Sequence, residues 1–225
     1  LMNHPSFNEL DLSRWKLLIG GSALRKSMCQ TAMARGIAIF TGYGMSETCP
    51  ILTVAHVHRD DLEFGEEVDL RCTTGRPIPL VELRLVDEQM NEVAHDGEQV
   101  GELVVRTPWL TQGYLKDQRN SENLWRGGYL HTGDVANIDR DNYVTITDRI
   151  KDVIKTGGKW TSSLQIEDVV ARHPAVAEVA VIGVPDERMG EVGCACVVLR
   201  PGHALDEAGL IAWSRERMAN YKVPR

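Results

Sequence analysis

Long apolar runs are missing from this sequence. No stretch approaches the roughly 18 consecutive apolar residues of a membrane-crossing helix, and the first residues, LMNHPSFNEL, carry neither a basic segment nor an apolar core. No transmembrane segment and no signal peptide are therefore expected. A surplus of positive charge is also missing. Lys and Arg number 25 against 32 Asp and Glu, a net charge of −7, which argues against broad binding to nucleic acid or to anionic membranes. Cysteine is sparse and odd in number, with Cys29, Cys49, Cys72, Cys194 and Cys196 and no CxxC. That excludes a disulfide framework and fits a reducing, cytoplasmic setting. Cys194 and Cys196 stand two apart in GCACVVL, which reads as a strand, so they share a face and are expected to be buried small residues. The histidines His4, His56, His58, His95, His131, His173 and His203 are scattered. Only His56 and His58 are close, and no His/Cys metal site is expected. GxSxG is absent, so no serine-hydrolase elbow is present. A phosphate loop GxxxxGK[ST] is absent too. GGSALRKS has Gly20, Lys26 and Ser27 in place, but Arg25 stands where the second glycine must be, and TGGKWTSS has Trp160 where Ser or Thr is required.

What remains is an ordinary globular composition, 43% hydrophobic and 25% charged, enough for one or two domains with real cores. WKLLIGG reads as a buried strand, SALRKSMCQTAMAR as a helix capped by Ser22 and closed by Gly36, and IAIF as a second strand. The helix is expected to carry Leu24, Met28, Ala32 and Arg35 on one stripe. Strand, helix and strand predict a βαβ unit with a parallel sheet, which places the glycine loops IGGS and FTGYG after strand C-termini, where open α/β sheets bind ligands. From Val81 the texture changes to alternating strands, VELRLVD, GELVVRT and YVTITDR, separated by polar turns. Beyond Lys151 a small α+β unit follows: a helix in SSLQIEDVVARH with Leu164, Ile166, Val169 and Val170 apolar, strands in AVAEVAVIGV and GCACVVLR, and a helix in ALDEAGLIAWSRERMANY. The boundary falls in TDRIKDVIKTGGK, giving a first domain over 1–149 and a second over 150–225.

Three segments carry chemistry. TGYGMSET sets Tyr43, Ser46 and Glu47 on a backbone punctuated by Gly42 and Gly44. A hydroxyl beside a carboxylate suits a phosphate and its magnesium, and the ring suits a flat base; a surface turn with Ser46 as a cap is the plain alternative. GGYLHTGDVANID offers Asp134 in a polar turn, a carboxylate able to accept hydrogen bonds from ribose hydroxyls or simply to cap a turn. His131 beside it reads as a turn residue. TDRIKDVIKTGGKW gathers Arg149, Lys151, Lys155 and Lys159 on an acidic protein, either a solvated face or an anion contact.

In order along the chain, GGSAL, TGYGMSET, GELVVRTPWLTQGYL, GGYLHTGDVANID and DRIKDVIKTGGKWTSSLQIEDVV resemble the adenylate-forming acyl-CoA synthetase family, from about Leu17 onward. TGGKWTSS is most similar to the medium- and long-chain fatty acyl-CoA ligases. The resemblance implies a mixed α/β fold. The C-terminal part of a large adenylating domain, with a β-rich subdomain, would be followed by a small, truncated α+β domain. It implies activation of a carboxylic, fatty acid with ATP and Mg²⁺ to an acyl-adenylate, then transfer to CoA. Gly20, Gly21, Ser22 and Ala23 would line the adenine and acyl pockets, Tyr43 with Gly44 beside it would stack on adenine, Ser46 would contact the α-phosphate and Glu47 would hold Mg²⁺. Asp134 and Arg149 would bind ribose. Lys151 would be the hinge, Lys155 would serve the thioester-forming state, and Gly158 and Trp160 would face CoA or, for Trp160, pack the hinge.

Ser46 departs from the family's commoner threonine. Its upstream Ser/Thr/Gly-rich phosphate loop and its C-terminal adenylation lysine have no counterpart here. The chain is thus expected to be a fragment, inactive or nearly so alone. An adenylating relative with another acyl acceptor, and a non-catalytic nucleotide-binding remnant, stay open as alternatives. Oligomeric state, a homodimer included, is left open, as is acyl chain length.

Overall fold

The computed structural model describes residues 9–57 and 61–225. His58, half of the only close histidine pair, lies outside them. By internal packing the chain divides into two units, one running up to Thr132 and including Asn137–Ile146, the other made of Gly133–Ala136 with Thr147–Arg225.

The first unit opens with the expected βαβ. Strand β1 (Lys16–Ile19), helix α1 (Lys26–Ala34) and strand β2 (Ala38–Tyr43) follow one another, and β1 pairs parallel with β2 in the register Ile19↔Thr41. Strand β3 (Thr53–Val54), helix α2 (Phe64–Arg71) and strand β4 (Arg76–Pro77) complete a sheet in the order β1-β2-β3-β4, antiparallel beyond β2. Leu12, Leu24, Cys29, Ala32, Ile37, Ile39 and Val68 form its core. Helix α1 departs from the sequence reading. It starts at Lys26 with Arg25 as an N-cap that makes no side-chain bond, because Gly21, at φ +76°, keeps the chain in an exposed bend through Ser22. Its buried side is Cys29 and Ala32, while Met28 is exposed. Gly36 closes it at φ +74°, as expected.

The alternating segments form strands as read: β5 (Glu82–Val86) and β6 (Gly101–Arg106) are antiparallel neighbours. Helix α3 (Gln118–Leu124), capped by Asp117, precedes β7 (Leu130–Ile138) and β8 (Val144–Arg149), and the sheet order is β5-β6-β7-β8. Strand β6 is buried over five residues.

In the second unit, β9 (Ile154–Thr156) and β10 (Lys159–Thr161) make a short hairpin, so the expected linker is itself sheet. Helix α4 (Ser163–Ala171), strands β11 (Val176–Asp186) and β12 (Gly190–Leu199) and helix α5 (Glu207–Arg215) follow, and the sheet runs β10-β9-β12-β11. Ser162 and Asp206 cap the two helices with their side-chain oxygens. Ile154, Ile166, Val170, Val176 and Val181 form the core, whereas Leu164 is exposed. Cys194 is half-buried and Cys196 exposed, contrary to expectation, because Ala195 and Val197 take the inward positions of β12. No helix among the described residues is long and apolar enough to cross a membrane.

Candidate active site

The parallel register of β1 and β2 sets their C-terminal ends side by side. Gly20 follows Ile19 and lies level with Gly42, so that a Cβ built on Gly20 would stand 3.4 Å from the Gly42 carbonyl oxygen. The exposed bend of Gly20, Gly21, Ser22 and Ala23 is thereby brought beside the Tyr43 segment. The glycines of TGYG differ from the sequence reading. Gly42 and Tyr43 are strand, paired with Val54 and Thr53, and neither Gly42 nor Gly44 has a positive φ. A Cβ on Gly42 would meet Leu18 Cδ1 at 2.8 Å, and one on Gly44 would lie 1.7 Å from the Pro50 carbonyl oxygen. Close approach of the protein to itself accounts for both. The half-buried Tyr43 packs against the cluster of Leu52, Val105, Leu110, Leu124 and Leu130.

Ser46–Thr48 is a single 3-10 turn, not the start of a longer helix, and its N-cap is Met45 instead of Ser46. The fully buried Thr48 organises it. Its hydroxyl accepts from the Met45 N–H at 2.9 Å and shares its proton between the Met45 and Pro50 carbonyls, each at 2.9 Å. That leaves Ser46 exposed and Glu47 half-buried. The Glu47 carboxylate is engaged by Tyr114, whose phenol donates to Oε1 at 2.7 Å. This hydrogen bond, and secondarily burial, raises the Tyr114 pKa above its ordinary value.

Asp134 lies in β7 and not in a turn, 2% exposed. Arg149 Nε stands 2.7 Å from its Oδ1, so the structure brings together the two residues paired from the sequence. Arg149 itself stays half exposed. Next to it in sequence, Asp148 is a buried carboxylate that the sequence did not single out. It accepts from the Ser163 N–H at 2.7 Å and the Ser163 hydroxyl at 3.1 Å, satisfying donors at the start of α4 that have no partner within the helix. His131 also belongs to β7, contrary to the turn reading. Its Nδ1 lies 2.8 Å from Oε2 of the buried Glu102, and its Nε2 donates to the Arg126 carbonyl at 3.0 Å.

The basic segment does not make one patch. Lys151 is exposed in the turn after β8, where the Asp152 and Val153 N–H groups both reach the Arg149 carbonyl at 2.9 Å. Lys155 pairs across the hairpin with Trp160, and Lys159 with Thr156, so the period of two puts Lys155 and Lys159 on opposite faces. Lys159 Nζ sits 4.8 Å over the Tyr221 ring. Gly157 and Gly158, at φ +58° and +77°, form the two-residue turn. This is the geometry that hairpin twist favours and that glycine adopts without strain. A Cβ on Gly158 would meet nothing within 4 Å.

Among the described residues no group of three His, Cys, Asp or Glu side chains could hold a metal. A lone carboxylate beside a hydroxyl fits a different kind of cation, one bound mainly through substrate phosphates with one protein oxygen, as Mg²⁺ commonly is. Glu47 with Ser46 meets that description.

The AMP-binding enzyme family model matches residues 1–115, and the model for the AMP-binding enzyme C-terminal domain matches residues 165–225. The chain belongs to the AMP-binding enzyme family. It is 39% identical over 188 residues to a long-chain-fatty-acid–CoA ligase of Thermus thermophilus, covering 82% of this chain and 35% of that protein. Among solved structures it resembles the amide bond synthetase McbA of Marinactinospora thermotolerans (TM-score 0.75, 30% identity, 99% of this chain and 44% of that one). It also resembles o-succinylbenzoate CoA synthetase of Bacillus subtilis in complex with its acyl-adenylate intermediate (TM-score 0.72, 26% identity, 93% and 41%). The chain thus spans less than half the length of each of these proteins.

Proposed function

We propose that the full-length protein activates a carboxylic acid with ATP, giving an acyl-adenylate and pyrophosphate, and then transfers the acyl group to the thiol of CoA. One observation carries the reading. The parallel register of β1 and β2 delivers the Gly20–Ala23 bend and the Tyr43–Glu47 segment to the same C-terminal sheet edge, the edge at which open α/β sheets take nucleotides. Tyr43 offers its ring to adenine, with Gly44 beside it. Gly20, Gly21, Ser22 and Ala23 line the adenine and acyl pockets. The Ser46 hydroxyl donates to the α-phosphate, and Glu47 holds Mg²⁺, which when bound offsets phosphate charge. Asp134, paired with Arg149, accepts from a ribose hydroxyl. Arg149 contributes at the same sugar.

The second half-reaction falls to the unit beyond residue 149. We assign residues 1–149 and 150–225 as the two domains, with Lys151 as hinge. Lys155 serves the thioester-forming state, and Gly158, whose outer side is open space, gives the pantetheine arm passage, with Trp160 beside it. Domain rotation at such a hinge lets one pocket serve two steps. The acid partner we assign is a fatty acid, by likeness to the Thermus ligase. A cytoplasmic setting suits the five free cysteines, and a homodimer is the assembly to test by sedimentation. The likeness to an amide bond synthetase supports a second reading, in which an amine replaces CoA as acceptor.

Acid-dependent exchange of labelled pyrophosphate into ATP, followed by measurement of AMP release with and without CoA, tests the proposal. Exchange that requires a fatty acid, with AMP release that requires CoA, is the expected result. Exchange with AMP release that does not depend on CoA, together with amide formation when an amine is supplied, would favour the second reading. No exchange with any carboxylic acid would overturn both.

A further inference from the structure

The loop after β6 is built to reach the 3-10 turn. The Thr111 N–H donates to the Glu47 carbonyl at 3.0 Å, and the Trp125 indole fixes Thr111 by donating to its carbonyl at 3.1 Å. Three residues on, the Tyr114 N–H donates to Ser121 Oγ at 2.8 Å, and that hydroxyl donates to the Asp117 carbonyl at 2.7 Å. Gly113 admits Ser121 at this point, since a Cβ there would stand 2.7 Å from Ser121 Oγ. The loop thereby presents the Tyr114 phenol to Glu47 Oε1 at 2.7 Å. The Tyr114 ring is 41% exposed, so burial is not what keeps it there.

We infer that Tyr114 is a positioning residue, setting the Glu47 carboxylate to receive a divalent cation carried on nucleotide phosphates. The inference rests on the assignment of Glu47 to Mg²⁺ in the proposed function. A free glutamate loses rotamer freedom when it captures a cation, and Glu47 has already lost that freedom to the phenol. One carboxylate oxygen accepts the phenol's hydrogen bond and leaves the other for the cation. Partners of this kind, which orient a ligand without touching the metal, typically change metal affinity when removed.

The test uses the full-length protein as wild type, Tyr114→Phe and Glu47→Gln. Each is titrated with Mn²⁺ in the presence of a non-hydrolysable ATP analogue, with free metal read by electron paramagnetic resonance and the thermal midpoint measured beside it. Tyr114→Phe should bind Mn²⁺ about tenfold more weakly, with its midpoint and its metal-free affinity for the analogue unchanged, while Glu47→Gln loses the metal. Wild-type Mn²⁺ affinity in Tyr114→Phe, with Glu47→Gln still deficient, would reduce Tyr114 to a surface tie and overturn the inference alone. A loss of affinity that tracks a fall in midpoint would overturn it equally. Wild-type affinity in Glu47→Gln would remove the Glu47 assignment itself, and the inference with it.

Discussion

Two glycine pairs flank the chemistry of this protein, and they are glycine for opposite reasons. In TGYG the backbone is ordinary and the space is absent: a Cβ on Gly44 would lie 1.7 Å from the Pro50 carbonyl oxygen. In TGGK the space is open at Gly158 and the backbone is unusual, with φ +77°. In the first pair Gly42 admits the Leu18 side chain of the neighbouring strand and Gly44 admits the Pro50 carbonyl. The second reverses the chain in two residues and leaves the outer side of the turn bare. The first is a packing constraint and the second a conformational one, and the two predict different mutational spectra.

The largest effect should come from Gly44→Ala. The added methyl meets backbone, which cannot step aside, and the loss should be about 4 kcal/mol or more, at the top of the range for single changes. Urea unfolding of the full-length protein measures it. Thr48→Val comes next, since it strips a buried hydroxyl from the Met45 N–H and the Pro50 carbonyl; a cost of about 2 kcal/mol is expected. Gly158→Ala should cost only about 1–2 kcal/mol, the penalty of the left-handed conformation for an L-residue, and Gly158→Asn less, because Asn tolerates that conformation. If Gly158→Ala proved more damaging to stability than Gly44→Ala, the contrast would be reversed and the account of both turns wrong.

A smaller effect lies outside both pairs. Burial first, and then the neighbouring Cys72, push the Cys29 thiol from 9.0 up to about 12. An unfolded Cys29 releases its proton before the folded one does. Its contribution to stability is therefore full below pH 9 and is lost as pH rises towards 12. The fall in urea midpoint between about pH 8 and pH 10 should be shallower in Cys29→Ala than in wild type.

These outcomes bear on how far the sequence could be read. The strands β5, β6 and β8 were legible because their alternation has the period of a sheet with one face buried. The βαβ order was legible because glycines mark both ends of its helix. The start of α1 was misplaced, since Ser22 looks like a cap while Gly21 in fact holds the chain in a bend. The hairpin β9/β10 escaped notice because three residues a side carry too little pattern, and its lysines suggested one basic patch when the pleat sends them to two faces. The partners of Glu47 and His131 were not legible at all. Tyr114 stands 67 residues from Glu47 and Glu102 29 from His131, and no periodicity connects such pairs. Asp134 with Arg149 came from family resemblance; the local pattern alone offered a polar turn.

The central claim is that the turn bearing Glu47 serves the first half-reaction and the segment beyond Arg149 serves the second. Lys151→Pro tests it most directly. Single-turnover measurements on the full-length protein would follow acyl-adenylate formation and acyl transfer to CoA separately. The account predicts adenylation at the wild-type rate and acyl transfer reduced by about a hundredfold or more, the scale on which a misplaced reacting group slows a step. Equal slowing of both steps would contradict it.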